Sequence, residues 1–170
     1  MILLIAGASH TGKTLLAQRL MERHGWPYTS IDHIKMGLIR CELLPLSPSD
    51  DDALTDALWP IVREIIKTAI ENDQNLIIEG CYIPFDWRES FSEEYLPSIR
   101  ALWLIMSRAY IETHFEDIRR HGSAIECRGD DPELDMAWLI RANEKNLAGC
   151  QQHGCPYLLI DGDYQVDWQL

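Results

Sequence analysis

The chain carries near its start the stretch Gly7-Ala8-Ser9-His10-Thr11-Gly12-Lys13-Thr14, which directly follows the apolar run Ile2 to Ala6. These eight residues fit the pattern G-x-x-x-x-G-K-[ST], whose glycines let the backbone curl so that successive N–H groups point at phosphate oxygens. In a loop of this kind, Lys13 reaches the β and γ phosphates of a nucleotide, and the hydroxyl of Thr14 is offered to Mg²⁺. The stretch is therefore predicted to bind a nucleoside triphosphate together with Mg²⁺.

The residues after this loop support the same interpretation. Apolar residues follow Lys13 at helical spacing, among them Leu16 and Leu20, and Gly25 is a typical stop signal. The N-terminus of the resulting helix would lie beneath the loop, where its N–H groups and dipole stabilise an anion. Nucleotide binding is therefore favoured over the alternative of a glycine turn that has no ligand.

Composition and charge limit the size and the partners of the protein. With 170 residues, 46% of them hydrophobic, the chain is expected to form a single domain over 1–170. The formal net charge of −12 repels nucleic acid and anionic membranes, so neither is expected as a partner. No run approaches the ~20 apolar residues of a membrane helix, the first residues lack a secretion signal, and the five scattered cysteines suit a reducing compartment. A cytoplasmic protein, monomeric or homodimeric, is predicted.

Short apolar runs alternate with helical patterns along the chain. Five runs are predicted as strands: Ile2 to Ala6, Tyr28 to Ile31, Asn75 to Glu79, Ala101 to Met106 and Tyr157 to Asp161. Alternation of this kind is typical of an α/β fold, in which a parallel sheet is covered by helices on both faces.

A long helical region is predicted between the second and third strands. Serines and aspartates over 47–52 suit its N-terminus, and one apolar stripe follows at helical spacing: Leu54, Leu58, Ile61, Ile65 and Ala69. Pro60 interrupts this pattern, and we expect it to kink the helix or divide it in two.

Two further helices are predicted after the fourth strand. Ile111, Phe115 and Ile118 mark the buried face of the first, which ends near Gly122. The second is expected to begin at Asp131-Pro132 and to stop near Gly149. The polar segment between them is predicted to form a flap over about 119–131.

Two carboxylates are expected at the carboxyl edge of the sheet, where ligands bind in open α/β folds. Glu79 ends the third strand, and we expect its carboxylate near the Mg²⁺ held by Thr14, acting through a water. Asp32 follows the second strand and could accept a proton from a substrate hydroxyl or orient it. Asp32 could equally serve as the N-cap of the next helix, and the two roles are compatible.

Cationic side chains are needed because phosphoryl transfer spreads negative charge over the equatorial oxygens. Four arginines lie around the predicted flap: Arg119, Arg120, Arg128 and Arg141. Arg119 and Arg120 would also be favourable in the last turn of a helix with no ligand at all. Arg128 and Arg141 are the candidates for contact with the transferring group, and Arg119 and Arg120 for contact with the nucleotide.

Three cations and one tyrosine are candidates for contact with the acceptor of the phosphoryl group. Lys35, Arg40 and Arg88 are candidate ligands for an acceptor anion, although ordinary exposed cations would have the same pattern. Tyr82, in an aromatic cluster after Glu79, could form a wall of the acceptor pocket or pack in the core.

These motifs resemble those of P-loop small-molecule kinases of the adenylate kinase and shikimate kinase branch. The loop at 7–14 matches that branch, and Ser30-Ile31-Asp32 followed by Lys35 resembles its acceptor-binding turn. Three further stretches are similar to the third strand end, the closing arginines and the last strand of these kinases: 79–84, Arg128-Gly129-Asp130-Asp131 with Arg141, and 157–161. The resemblance implies a three-layer α/β/α P-loop NTPase fold with a five-stranded parallel sheet in the order 2-3-1-4-5 and a short flap. It also implies that the acceptor binds on the helices between the second and third strands, about 33–73.

The same resemblance implies an activity. The expected reaction is transfer of the γ-phosphoryl group from ATP, with Mg²⁺, to the hydroxyl of a small molecule. Glu79 stands where these kinases usually have Asp, Lys35 stands for Arg, and no arginine follows Pro84, which favours a hydroxyl acceptor over a nucleoside monophosphate. Two alternatives stay open: a nucleoside monophosphate kinase, and a nucleotide-binding ATPase switch without an acceptor.

Overall fold

The computed structural model describes residues 1–47, 50–122 and 134–169, and it contains a five-stranded parallel sheet. The strands are β1 (Ile2–Gly7), β2 (Tyr28–Ser30), β3 (Leu76–Glu79), β4 (Ile99–Met106) and β5 (Tyr157–Ile160). Their order in the sheet is β2-β3-β1-β4-β5, and every neighbouring pair is parallel. This confirms the predicted strand order.

The central position of β1 explains its continuous apolar sequence. All six of its residues are buried, and its side chains pack alternately into the two layers on either face of the sheet. In the pairing with β3, Ile5 lies opposite Glu79. The last residue of β3 therefore lies beside the strand end from which the glycine-rich loop leaves the sheet.

In the described part of the chain, five α-helices cover the sheet: α1 (Lys13–His24), α2 (Ile31–Arg40), α3 (Asp51–Glu71), α4 (Arg108–His121) and α5 (Met136–His153). Apolar residues of α1 and α4 pack on one face, and those of α2 and α3 pack on the other. Helix α5 packs against α4 and β4. The layers are those of a three-layer α/β/α fold. None of the described helices combines the length and apolarity needed to cross a membrane.

The row of buried residues on α3 differs from the predicted apolar stripe, because in the middle of the helix it is shifted by one residue. Leu54, Leu58 and Ala69 are buried as expected, but Val62 and Ile66 complete the buried row. The two predicted middle residues are more accessible: Ile61 is 39% exposed, and Ile65 is partly buried at the margin of the core. Spacings of three and four residues are both compatible with a helix face, so the pattern alone does not distinguish the two rows.

Pro60 does not divide α3, because the helix runs unbroken from Asp51 to Glu71. A proline in a helix removes the N–H that would bond to the carbonyl four residues earlier, here that of Asp56. Both residues are exposed, so water can hydrate the freed carbonyl, which explains why the helix tolerates this proline.

Helix α5 begins and ends later than its sequence pattern predicts. Asp135 has extended backbone (φ −93°, ψ 123°) and caps the helix by accepting bonds from two amides, so the predicted start at Asp131-Pro132 is wrong. The helix also continues past Gly149 to a left-handed C-cap at Gly154. Gly149 lies inside the helix, where the close approach of Phe85 requires a residue without a side chain, since a Cβ there would lie 2.4 Å from the Phe85 ring.

Candidate active site

The loop between β1 and α1 has the conformation that its glycines predict. Gly12, the N-cap of α1, has a left-handed φ of +85°, and it leaves the first N–H groups of α1 without a side-chain cap. The ammonium of Lys13 is buried and donates a hydrogen bond to the carbonyl of Ala8 at 2.8 Å. The Thr11 hydroxyl donates to the same carbonyl at 2.9 Å. An uncapped helix N-terminus and a held ammonium together form a site suited to phosphate.

Two of the loop glycines are required by close contacts as well as by backbone conformation. A Cβ at Gly7 (φ +137°) would lie 2.3 Å from the carbonyl oxygen of Leu104 on β4. A Cβ at Gly12 would lie 1.7 Å from the phenolic oxygen of Tyr164. The motif glycines are therefore fixed by packing against the sheet and against a residue that the motif does not contain.

The hydroxyl of Thr14 and the carboxylate of Glu79 meet at the carboxyl edge of the sheet. Thr14 donates to Glu79 Oε1 at 3.2 Å, and Glu79 is only 2% exposed. Among the described residues, no group of three His, Cys, Asp or Glu side chains is placed to hold a metal ion. A hydroxyl and one carboxylate nevertheless fit Mg²⁺, which keeps several waters and commonly binds through one or two carboxylates plus substrate phosphates.

Two neighbouring cavities open beside the loop, and they are named the nucleotide cavity and the acceptor cavity after the roles that the sequence predicts. The nucleotide cavity, of about 560 Å³, is lined by Lys13, Thr14 and Glu79. The acceptor cavity, of about 1050 Å³, lies between α2, α3 and α5. Four residues line both cavities: Ser9, His10, Asp32 and Cys81. A molecule in the acceptor cavity would therefore meet a bound nucleotide beside Asp32.

Asp32 belongs to a buried cluster with Lys35 and Tyr82. Lys35 Nζ lies 2.5 Å from Asp32 Oδ1 and donates to the Tyr82 hydroxyl at 2.9 Å. Burial alone lowers the pKa of Lys35, but the hydrogen bonds to Asp32 and Tyr82 and the attraction of the Asp32 carboxylate outweigh it and raise that pKa. The N-cap of α2 is Ser30, so the alternative of Asp32 as a helix cap is wrong.

The face of α4 that lines the nucleotide cavity was not predicted from the sequence. It carries Tyr110, His114 and His121, and the rings of the first two are stacked with centroids 4.4 Å apart. Their spacing of four and seven residues is a helical signal that could have indicated them. Arg119 and Arg120 lie outside both cavities and pair instead with acids of their own helix, Glu116 at 2.6 Å and Asp117 at 3.4 Å.

The remaining predicted cations are dispersed. Arg141 lines the acceptor cavity, with its side chain 65% exposed and 3.6 Å from Asp135. Arg40 is exposed at the end of α2, and Arg88 lies over the ring of Trp87 at 4.7 Å from its centroid, so neither lines either cavity. Arg128 and the flap residues 123–131 lie outside the described residues.

Segment 161–169 contacts the phosphate loop and α1. The Tyr164 hydroxyl donates to the carbonyl of Thr11 at 3.1 Å, and Asp167 pairs with Arg23 at 2.8 Å. Burial raises the pKa of Tyr164 to about 12. The phenol therefore keeps its proton, and its hydrogen bond to the loop, well above the ordinary range of tyrosine.

Tyr164→Phe should change both the size and the pH dependence of stability. At pH 7 the variant should lose about 1 kcal/mol, because Thr11 loses its hydrogen-bond donor. Between pH 10 and 12 the unfolded state releases the phenolic proton while the folded state keeps it, so the wild type should lose stability faster than the variant, by up to about 1.4 kcal/mol per pH unit. Urea unfolding from pH 7 to 11.5 measures both effects, and parallel curves would contradict the burial of this hydroxyl.

Comparisons with solved structures place this fold. The chain is similar to the deoxyadenosine kinase of M. mycoides, with 12% identity and a TM-score of 0.58 over 97% of this chain and 92% of that one. It is also similar to the shikimate kinase of Bacteroides thetaiotaomicron, with 16% identity and a TM-score of 0.56 over 96% of this chain and 86% of that one. A sugar kinase from Janibacter is 17% identical, with a TM-score of 0.52 over 94% of this chain and 84% of that one. No protein-family model and no curated protein sequence matches the chain. The chain therefore shares the fold of these solved kinases.

Proposed function

We propose that the protein is an ATP- and Mg²⁺-dependent kinase that transfers the γ-phosphoryl group to a hydroxyl of a small molecule. The observation that carries this proposal is the junction of the two cavities at Asp32, next to the loop that holds Lys13. A nucleotide and a second substrate can meet there, with a carboxylate between them. Catalysis of phosphoryl transfer needs mainly such positioning and electrostatic stabilisation.

The loop, Asp32 and two of the predicted arginines are given roles in this reaction. The loop amides and Lys13 bind the β and γ phosphates, while Asp32 orients the acceptor hydroxyl and accepts its proton. The acceptor oxygen bonds to the γ-phosphorus, the bond from that phosphorus to the β–γ bridging oxygen breaks, and ADP leaves. Arg141, at the acceptor cavity, and Arg128 are proposed to approach the transferring group.

Thr14 and Glu79 are the residues that would hold Mg²⁺, the hydroxyl directly and the carboxylate through a water. When bound, the ion supplies charge that stabilises the phosphate oxygens. Glu79 itself orients the Thr14 hydroxyl, because it accepts that hydroxyl's hydrogen bond.

The two alternative functions are less well supported. An ATPase switch without an acceptor needs no second cavity, whereas this chain has one of about 1050 Å³ beside the nucleotide cavity. A nucleoside monophosphate kinase needs cations free to bind the acceptor phosphate, and the Lys35 ammonium is paired with Asp32.

Asp32→Asn tests the proposal. Transfer to a hydroxyl acceptor should fall roughly a hundredfold, because an amide cannot accept the proton, whereas transfer to a phosphate acceptor should change much less. Glu93→Gln, at an exposed position, is the charge-matched control and should keep full activity.

Phosphorus NMR of ATP with a panel of small hydroxyl compounds measures the reaction. ADP that forms only with an acceptor supports transfer, and ADP that forms equally without one supports the switch. Full activity of Asp32→Asn on a hydroxyl acceptor would remove Asp32 from the proposed role.

A further inference from the structure

The charges that line the acceptor cavity indicate which class of acceptor it takes. We propose that the acceptor is a hydroxylated small molecule that carries a protonated amine. This inference rests on the proposed kinase function and adds the charge of the substrate to it. Three observations carry it: the balance of charges in the cavity, the pairing of its cations, and an exposed aromatic wall.

Carboxylates outnumber cations among the described residues of the cavity. Five aspartates line it, against one arginine and two lysines. The whole chain has a formal charge of −12, so its long-range field also favours the approach of cations. An acceptor that carries a carboxylate or a phosphate would meet repulsion at both ranges.

Each of these three cations is already paired with an aspartate of the cavity. The pairs are Lys35 with Asp32 at 2.5 Å, Lys145 with Asp52 at 3.2 Å, and Arg141 with Asp135 at 3.6 Å. An anionic acceptor would have to compete with these carboxylates for each cation. The Lys35–Asp32 pair is largely shielded from water, so this lysine is not readily available to a carboxylate or phosphate, whereas the other two pairs are exposed to solvent and hold their cations only weakly.

Two aspartates of the cavity remain after this pairing. Within the described part of the chain, neither Asp56 on α3 nor Asp86, which follows β3, has a cation partner. Their carboxylates are the groups that an acceptor ammonium can satisfy by charge-assisted hydrogen bonds. They belong to different parts of the cavity wall, Asp56 to α3 and Asp86 to the segment after β3.

The aromatic residues of the cavity fit a cation as well. Trp138 lines it and is 40% exposed, which leaves indole surface free for a ligand, and tryptophan is the best aromatic partner of a cation. The cavity already holds one ammonium in this way, because Lys35 Nζ lies beside Asp32 and 5.0 Å from the ring centroid of Tyr82. A carboxylate together with a tyrosine, whose hydroxyl accepts a hydrogen bond from the ammonium, is thus an ammonium site that this chain already uses.

The test compares acceptors that share a skeleton and differ in charge. Three series serve as probes: ethanolamine, ethylene glycol and glycolate; serinol, glycerol and glycerate; and glucosamine, glucose and glucuronate. Binding at pH 7 is followed through the indole ¹H–¹⁵N signal of Trp138, assigned with Trp138→Phe, in the presence of Mg²⁺ and a non-hydrolysable ATP analogue. Turnover is followed as acceptor-dependent ADP.

Within each series that binds, the ammonium member should bind about tenfold more tightly than the neutral one, and the carboxylate member should bind most weakly. Asp56→Asn and Asp86→Asn should each weaken binding of the ammonium member about fivefold and change the neutral member little. Glu93→Gln is the control for loss of a negative charge far from the cavity. An unchanged midpoint of thermal unfolding shows that the variants fold.

Three results would overturn the inference: tighter binding of carboxylate members, no binding of any ammonium member, or an unchanged preference in the double variant Asp56→Asn/Asp86→Asn. Turnover of neutral or carboxylate acceptors alone would refute the inference and leave the kinase proposal intact. Ammonium binding at Trp138 with no acceptor-dependent ADP from any probe would support the charge preference of the cavity but count against phosphoryl transfer, and the ligand would then not be an acceptor.

Discussion

Lys13→Met is expected to lower kcat/KM for phosphoryl transfer by about 10³- to 10⁴-fold, the largest effect of any single side chain in the site. In enzymes generally, loss of one hydrogen-bond donor to a developing charge lowers kcat by about 10²- to 10³-fold. A cation that contacts the transferring phosphate raises kcat by about 10³- to 10⁵-fold. Lys13 is 7% exposed, and its ammonium has the Ala8 carbonyl as partner, so the cation is held close to where phosphates bind. Steady-state kinetics and titration calorimetry with ATP measure the loss.

Methionine is chosen because it keeps the length and apolar stem of Lys13 while removing the charge. Folding should therefore be little affected, since Ala8 O keeps the hydrogen bond from Thr11 and a buried charge disappears. Lys67→Met is the matched control on α3, where the lysine pairs with Glu64 at the surface. A Lys13→Met enzyme within tenfold of the wild type would contradict the role of this loop in phosphate binding.

Gly12→Ala should weaken ATP binding by about 10³-fold. The left-handed conformation costs a side chain about 1–2 kcal/mol, and the added Cβ would overlap the Tyr164 hydroxyl at 1.7 Å. The loop must move to relieve this overlap, and each charge-assisted hydrogen bond then lost to a phosphate is worth about 1.5–3 kcal/mol. Calorimetric titration with ATP measures the change.

Gly25→Ala separates the steric cause from the conformational one. Gly25 also has a left-handed φ, +70°, but no atom lies within 4 Å of the position that a Cβ would occupy there. This variant should lose about 1 kcal/mol of stability and bind ATP normally. Adding Tyr164→Ala to Gly12→Ala should recover part of the binding, and a Gly12→Ala protein with normal affinity would contradict the observed loop geometry.

The sheet and the loop were predictable because their signals are local. The strand β1 is apolar throughout, and residues 7–14 carry a motif whose spacing follows from phosphate geometry. The order of the strands was implied by the resemblance to known kinases rather than by these local signals, and the observed order β2-β3-β1-β4-β5 agrees with it. The meeting of Thr14 with Glu79 follows from this order, since β1 and β3 are neighbours.

The helix faces were harder to predict because they depend on rotation about each helix axis. His114 has non-helical backbone (φ −120°, ψ 17°) inside α4, so the residues on either side of it do not continue one regular helix. The sequence indicated Arg119 and Arg120 by charge alone, whereas His114 and His121 line the nucleotide cavity. The pairing of Arg119 with Glu116 was a local alternative that charge patterning could have suggested.

The contact between Tyr164 and Thr11 joins residues 153 positions apart, and it has a consequence for biosynthesis. During translation the glycine-rich loop emerges from the ribosome long before the tyrosine that packs against Gly12. Until that tyrosine emerges, the loop lacks one of the contacts that hold its conformation.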